Sequence, residues 1–316
     1  MTQNVVLDAT VLTSLMNCAR FSDLRFNHHL ELISGKSNSL EIGSVVHKYL
    51  EIKYKCLING LDKPTAHGMG MAAAELYVAG CQYCTNFVST DEIPKPKCNH
   101  SPNEYPGIQN TPPESAGYLI GWKWALTTCE QYNEYYKNDH WVSLETEVVK
   151  GKIIYEDEDV RILWKAKLDW IVDTNQGIFP VDHKTMKQNR ETISTNNQFM
   201  GQCLVMGTQS MIKNNIGFQK TLKPEEKFKR EVISYTEDRL EEWRSIIVPY
   251  YAKLLLMYQE TDFYPPNFSN CDGKFGKCQF YKDVCSNNRN MREDALRMYF
   301  KVGQEWNPTN DTVEAE

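Results

Sequence analysis

No run of apolar residues in this chain approaches the length of a membrane span, which excludes a bundle of transmembrane helices. The opening residues, Met1 to Asp8, carry neither a basic leader nor a long apolar stretch, so no secretion signal is read. The expected compartment is the cytoplasm, or a host cytoplasm if the chain is viral. Positive charge is not in excess either: 35 Lys and Arg against 41 Asp and Glu leave a formal net charge of -6. That argues against coating nucleic acid by bulk electrostatics. It leaves room for an enzyme that gathers carboxylates around a metal and keeps only a local basic groove. Internal repeats are missing too. What is present is ordinary globular composition, 41% hydrophobic and 24% charged over 316 residues, enough for a full core. Ten cysteines without a secretion signal point to metal ligation or buried thiols rather than a disulfide framework.

Periodicity predicts a helix over 10–25, an amphipathic helix over 40–58 and another from 64 to about 88. Prolines at 94, 96, 102, 106, 112 and 113 then break regular structure, and 89–115 reads as a surface excursion. An aromatic helix follows over 118–137, with Trp122, Trp124, Tyr132, Tyr135 and Tyr136 expected mainly in the core. Strands are predicted at 141–149, 160–172 and 178–184, then a helix at 195–211, a strand at 228–235 and a long helix at 237–259. A Gly- and Asn-rich loop with three cysteines and a short helix at 291–300 lead to a disordered acidic tail, 307–316. The expectation is a single domain over 1–306.

The alternation from Val160 to Val172 puts Asp169 on the face opposite the apolar side chains. Thr174, Asn175, Gln176 and Gly177 are turn residues. A hairpin centred on Asn175 and Gln176 sets Asp169 directly across from Asp182. Side chains so paired lie roughly 5 Å apart at Cβ, and two carboxylates there repel unless a cation sits between them. Oxygen ligands of this kind suit Mg2+ or Mn2+. Lys184 shares Asp182's face, where an ammonium group can orient water and stabilise charge growing on a phosphate. Pro180 fits poorly in a central strand. An Asp and a Lys on the polar face of a strand also have an ordinary solvated reading. The same holds for His47 beside Glu51 on one helical face, and for Gln198 at a helix start. The basic residues Lys187, Arg190, Lys213 and those of 220–230 read equally as a nucleic-acid path or a solvated surface.

Taken in order, Gly43, His47 and Glu51, then the stretch Ala166 to Asp169, then Asp182-His183-Lys184, then Gln198 resemble the PD-(D/E)XK nuclease superfamily. The RecB nuclease domain and the CRISPR-associated exonucleases are its most similar branch. The resemblance spans about 8–289. It implies a restriction-endonuclease-like α/β core, a mixed central sheet flanked by helices. It further implies metal-dependent DNA hydrolysis, as an exonuclease acting on single strands or free ends. His47, Asp169 and Asp182 would ligate the metal, assisted by the His183 carbonyl. Lys184 would act at the nucleophile, with Gln198 helping to position Lys184 or the DNA. Ala166 stands where that branch has glycine, and Gln202 where it has tyrosine. A catalytically silent DNA-binding or assembly module with the same fold is the alternative, and RNA the alternative substrate.

Cys271, Cys278 and Cys285 are separated by six residues each, and three thiolates need a fourth for a tetrahedral metal or a cubane cluster. Cys18 is the candidate. The resemblance implies a [4Fe-4S] cluster on these four, joining the N- and C-terminal segments in an iron–sulfur subdomain; zinc and free thiols are the alternatives. Cys81 and Cys84, with Cys98 and His100 downstream, form a possible second site, but one helical turn between the first two suits buried thiols. Cys56, Cys129 and Cys203 are expected in the core.

Overall fold

The computed structural model describes residues 2–33, 38–79, 116–186, 196–218, 222–273 and 276–303. The 89–115 excursion, Cys81, Cys84, Cys98, His100, Lys187, Arg190, Lys220 and the 307–316 tail lie outside them. The chain runs β1 (Gln3–Leu7), α1 (Ala9–Asn17), β2 (Leu30–Leu32), α2 (Asn38–Ile58), α3 (Lys63–Ala79), α4 (Ala116–Tyr135) and β3 (Val142–Glu156). It continues with β4 (Val160–Thr174), β5 (Gly177–Met186), α5 (Asn197–Met206), β6 (Ser210–Gly217), β7 (Phe228–Ser234), α6 (Glu237–Glu242) and α7 (Val248–Thr261). Two short strands, β8 (Asp272–Gly273) and β9 (Gly276–Lys277), precede α8 (Arg289–Tyr299) and β10 (Phe300–Val302). None of the described helices is long and apolar enough to cross a membrane.

Six strands form one mixed sheet in the order β1-β4-β5-β6-β7, with β3 also on β4. The pairs β1/β4 and β5/β6 are parallel; β3/β4, β4/β5 and β6/β7 are antiparallel. One face packs on α1, α5 and α7 through Leu12, Trp164, Phe199, Trp243 and Ala252. The other packs on α2 and α4 through Tyr49, Tyr54, Tyr132, Trp170 and Phe228. This is the expected mixed α/β arrangement with helices on both faces.

The long central hairpins follow from side-chain pattern and turn chemistry. Asp157 closes the β3–β4 turn by accepting the backbone N–H groups of Asp159 and Val160 at 2.9 and 2.8 Å. At the β4–β5 turn Thr174 Oγ1 accepts from Gln176 N, and Gly177 takes φ 125, a conformation that favours glycine. The β4/β5 register runs from Thr174↔Gly177 to Trp170↔Val181, centred as predicted. Pro180 is accommodated because β6 joins β5 only from Val181 onward, which leaves a free edge at the proline.

One expectation fails in β4. Val160, Ile162, Trp164, Ala166 and Leu168 enter one core, but Trp170 and Val172 enter the other, and Ile171 joins the first. Strict alternation breaks at Asp169 and Trp170, opposite Glu147 of β3, whose φ is 51. A non-glycine residue at positive φ signals a local irregularity in the ladder. The Lys213 and 220–230 readings also change. Lys213 and Lys227 are buried, and Arg230 pairs with Asp139. These three do not form a solvated face, whereas Lys223 and Lys229 are exposed and keep the solvated reading.

Close helix–sheet contact depends on Gly201 of α5, where an added Cβ would fall on the Trp164 indole. Trp164 is fully buried and cannot swing into solvent. Gly201→Ala is therefore expected to cost about 1–3 kcal/mol by overpacking, read as a lower denaturation midpoint in urea. An unchanged midpoint would show that the contact yields.

Candidate metal centre

Strand β4 has β3 along one edge. On its other edge β1 pairs with Val160 to Trp164 and β5 with Trp170 to Thr174. Between these half-length neighbours the edge at 165–169 has no strand partner among the described residues. A cleft of about 500 Å³ opens there, lined by Asp8, Thr13, Lys167, Asp169, Gln198 and Gln202, among others. Asp169 and Asp182 lie one step beyond the last β4/β5 pair, where the strands part.

Asp169 Oδ2 accepts the backbone N–H of His183 at 2.8 Å, and His47 Nδ1 of α2 lies 3.8 Å from the same oxygen. Helix α2 can sit this close because Gly43 has no side chain where it meets Thr185 of β5. His47 thus faces Asp169, while Glu51 pairs with Lys48 at 2.7 Å. Glu147 completes the group: His47, Glu147 and Asp169 offer ligand atoms all within 4.8 Å of one another, a set able to hold a metal ion. Burial, then the neighbouring charge of Asp182, push Asp169's pKa up; His47 opposes this and Glu147 adds to it. Paired carboxylates destabilised by burial and by each other fit a metal cation.

Asp182 is fully buried and held differently. Lys184 Nζ lies 2.8 Å from Oδ2, Gln198 Nε2 donates to Oδ1 at 2.5 Å and Gln202 Nε2 at 3.3 Å. Gln198 Oε1 in turn accepts from Lys184 Nζ at 2.9 Å. Asn196 caps α5 by accepting from Gln198 N and Phe199 N, which fixes where the Gln198 side chain starts. Burial works against the Lys184 charge, but Asp182 and then Asp169 outweigh it and hold the ammonium above its ordinary pKa.

The structure therefore brings His47, Asp169, Asp182, Lys184 and Gln198 to one place, with Glu147 rather than Asp182 grouped with His47 and Asp169. Gln202, at the position where the resemblance expects tyrosine, contacts Asp182. The His183 ring faces inward, hydrogen-bonded to Asn214 at 2.9 Å and stacked near Tyr54 and Trp170. Burial, then His47, Arg230 and Lys184, keep it neutral. Glu147 escaped the sequence reading because nothing in a strand pattern marks a left-handed residue.

Asp8 lines the cleft and caps α1, accepting from Val11 N at 2.7 Å. Burial pushes its pKa up to about 6, against hydrogen bonds from Val11 and Thr10. For an acid raised in the folded state, ionisation costs stability. The cost is absent below the unfolded value of 3.8 and complete above about 6. Asp8→Asn keeps a capping oxygen and is expected to be about 1–3 kcal/mol more stable than the parent at pH 7.5. The gain should vanish near pH 4. Urea titrations at both pH values measure it, and equal stability at pH 7.5 would refute the burial cost.

The four candidate cluster cysteines come from both ends of the chain. Asn267 and Asn270 donate to the Asn17 carbonyl at 3.0 and 2.7 Å, and Asn267 N to Cys18 Sγ at 3.3 Å. The C-terminal loop is thereby docked on the end of α1. Burial, and then the neighbouring thiols, push up the pKa of Cys271, Cys278 and Cys285. No three of the sulfurs lie within 4.8 Å of one another. Cys56, Cys129 and Cys203 are buried as expected.

Neither a family model nor a curated protein matches the chain. Among solved structures, it is similar to a protein from Eubacterium rectale provisionally named as an exonuclease, at 12% identity over 84% of this chain and 86% of that one, TM-score 0.47. It is also similar to SSO0001, at 13% identity over 52% of this chain and 68% of that one, TM-score 0.29.

Proposed function

We propose that the chain is a metal-dependent deoxyribonuclease of the PD-(D/E)XK type, an exonuclease acting on single strands or free ends. One observation carries this reading. Asp169 and Asp182 converge where two strands part, with Lys184 on Asp182 and an open cleft beside them. His47, Glu147, Asp169 and Asp182, with the His183 carbonyl, would hold Mg2+ or Mn2+. When bound, the metal supplies Lewis acidity and a more acidic water. Lys184, protonated at neutral pH, would orient that water and stabilise charge on the phosphate oxygens. Gln198 would keep Lys184 and Asp182 in register, and the cleft would admit the strand.

Purified protein with Mn2+ is expected to degrade end-labelled DNA, single strands faster than duplex, and RNA more slowly. Product lengths resolved over time distinguish end-by-end from internal cutting. No hydrolysis with either metal would leave a binding module in place of an enzyme.

We further infer that Cys18, Cys271, Cys278 and Cys285 hold a [4Fe-4S] cluster. One observation supports this: the loop that carries Cys271, Cys278 and Cys285 is docked on the end of α1 beside Cys18, whose Sγ accepts from Asn267 N.

A further inference from the structure

A second cavity, of about 470 Å³, lies between α2, α3, the end of α4 and β7. None of the metal-centre side chains lines it. Tyr54 and Trp170, stacked on each other at 3.8 Å, form part of its wall and separate it from His183. Its charges do not balance. Lys53, Lys63 and Arg230 line it and share one acidic side chain, Asp139; Lys137, also lining it, pairs with Glu134. His67 bonds Tyr49 and Glu130, and the phenols of Tyr54 and Tyr136 complete the titratable lining.

These cations keep unused donors. Lys53 is 6% exposed and donates to Asn133 Oδ1 at 2.9 Å. Burial and then Arg230 lower its pKa to about 8, with Asp139 opposing. Arg230 donates to Asp139 and, at 3.3 Å, to Tyr132, while its buried Nε has no hydrogen-bond partner among the described residues. Its guanidinium lies 3.8 Å from the Tyr136 ring centre and 4.0 Å from that of Trp141. Lys63 donates to the carbonyls of Lys137 and Asp139. Lys63 and Lys137 are exposed, but Lys53 and Arg230 lie deep and face the single acid Asp139; a buried cation in excess of its acid is costly unless an anion joins it. A group with several terminal oxygens is needed to meet donors arriving from three directions. The aromatic wall offers apolar surface for the rest of such a molecule, and the volume falls in the range of small-ligand sites.

We propose that this cavity is a phosphate-monoester site, taking the phosphate of a nucleoside monophosphate either free or at the end of a strand. The nucleoside part rests on the nuclease reading; the phosphate does not. The test uses the full chain with Lys184→Ala, in EDTA, so that neither turnover nor metal binding contributes. Thymidine monophosphate, inorganic phosphate and thymidine are titrated, followed by tryptophan fluorescence, since Trp141 and Trp170 line the cavity, and by Tm. Both phosphates are expected to bind saturably and raise Tm, and thymidine to do neither. Lys53→Met should weaken binding about tenfold or more, and Lys63→Gln should weaken it as well in a chain whose buried lysine is intact. Short oligonucleotides ending in phosphate or hydroxyl separate a strand end from a free nucleotide: phosphate-selective binding assigns the strand end, and equal indifference assigns the free nucleotide. Thymidine binding as well as its phosphate, no saturable phosphate binding, or phosphate affinity unmoved by both lysine substitutions would overturn the proposal. Failure of DNA hydrolysis in the metal-loaded parent would leave these results standing and strike only the nuclease reading.

Discussion

Lys184→Ala is expected to lose at least about a hundredfold of the DNA hydrolysis rate while still binding Mn2+. The group formed by His47, Glu147 and Asp169 does not include the lysine, so metal binding should survive. What the substitution removes is a positive charge held beside Asp182 at 2.8 Å and clamped by Gln198 at 2.9 Å. Because Asp182 and Asp169 hold that ammonium above its ordinary pKa, it is charged throughout the neutral range. Its contribution is therefore electrostatic and orienting, and the alkaline limb of a pH–rate profile should not report its titration near neutrality.

Companion variants separate the roles. Gln198→Ala leaves the charge but frees it to move, for an expected loss of roughly tenfold to a hundredfold. Asp182→Asn removes both the lysine's anchor and a carboxylate, and should lose as much as Lys184→Ala while also weakening Mn2+. Glu147→Gln should weaken Mn2+ with Lys184 untouched. Release of labelled nucleotides measures the rate, and calorimetric titration measures the metal. Full activity in both Lys184→Ala and Asp182→Ala would end the active-site assignment.

Much of the framework was legible in the sequence for local reasons. The turn from Thr174 to Gly177 fixed the β4/β5 register, and helical spacing placed His47 on the α2 face that meets Asp169. What was not legible depends on partners distant in the chain. Strand β6 was missed because the preceding helix was expected to run on to 211 and the polar run Lys213, Asn214 and Asn215 carries no strand alternation. They are buried in the sheet, with Lys213 against Glu231, Asn214 between His183 and Tyr132, and Asn215 on Glu231. Buried polar groups of this kind are tolerable once hydrogen-bonded, but the bonds come from three other elements, β5, β7 and α4. Strand β1 was missed since its five residues gain a strand partner only when β4 is in place. The alternation in β4 predicted one face for Trp170 and Leu168, and the irregularity opposite Glu147 divided them between two cores. That same irregularity brings a third donor to the metal centre, so the misread residue and the missed ligand have one cause.

Protein purified without oxygen is expected to be brown and to carry about four iron atoms per chain with matching sulfide. Cys278→Ser should lose most of both. The reason is the way the two chain ends are joined. The C-terminal loop is docked by hydrogen bonds to Asn17 and Cys18 and by Arg20 N to the Pro265 carbonyl, mostly at exposed positions where each is worth little in water. Beyond it β10 pairs with β2 over a small cluster of Leu24, Phe280, Val284 and Phe300, separate from the two main cores. A four-thiolate centre would add binding free energy directly to folding, so its loss should lower stability by several kcal/mol. Residues 271–285 should then become the first site of proteolysis. Cys56→Ser, in a core thiol on α2 far along the chain from these segments, should keep the iron. Zinc in place of iron would overturn the cluster. Full iron and unchanged protease resistance in Cys278→Ser would remove that residue from the ligand set.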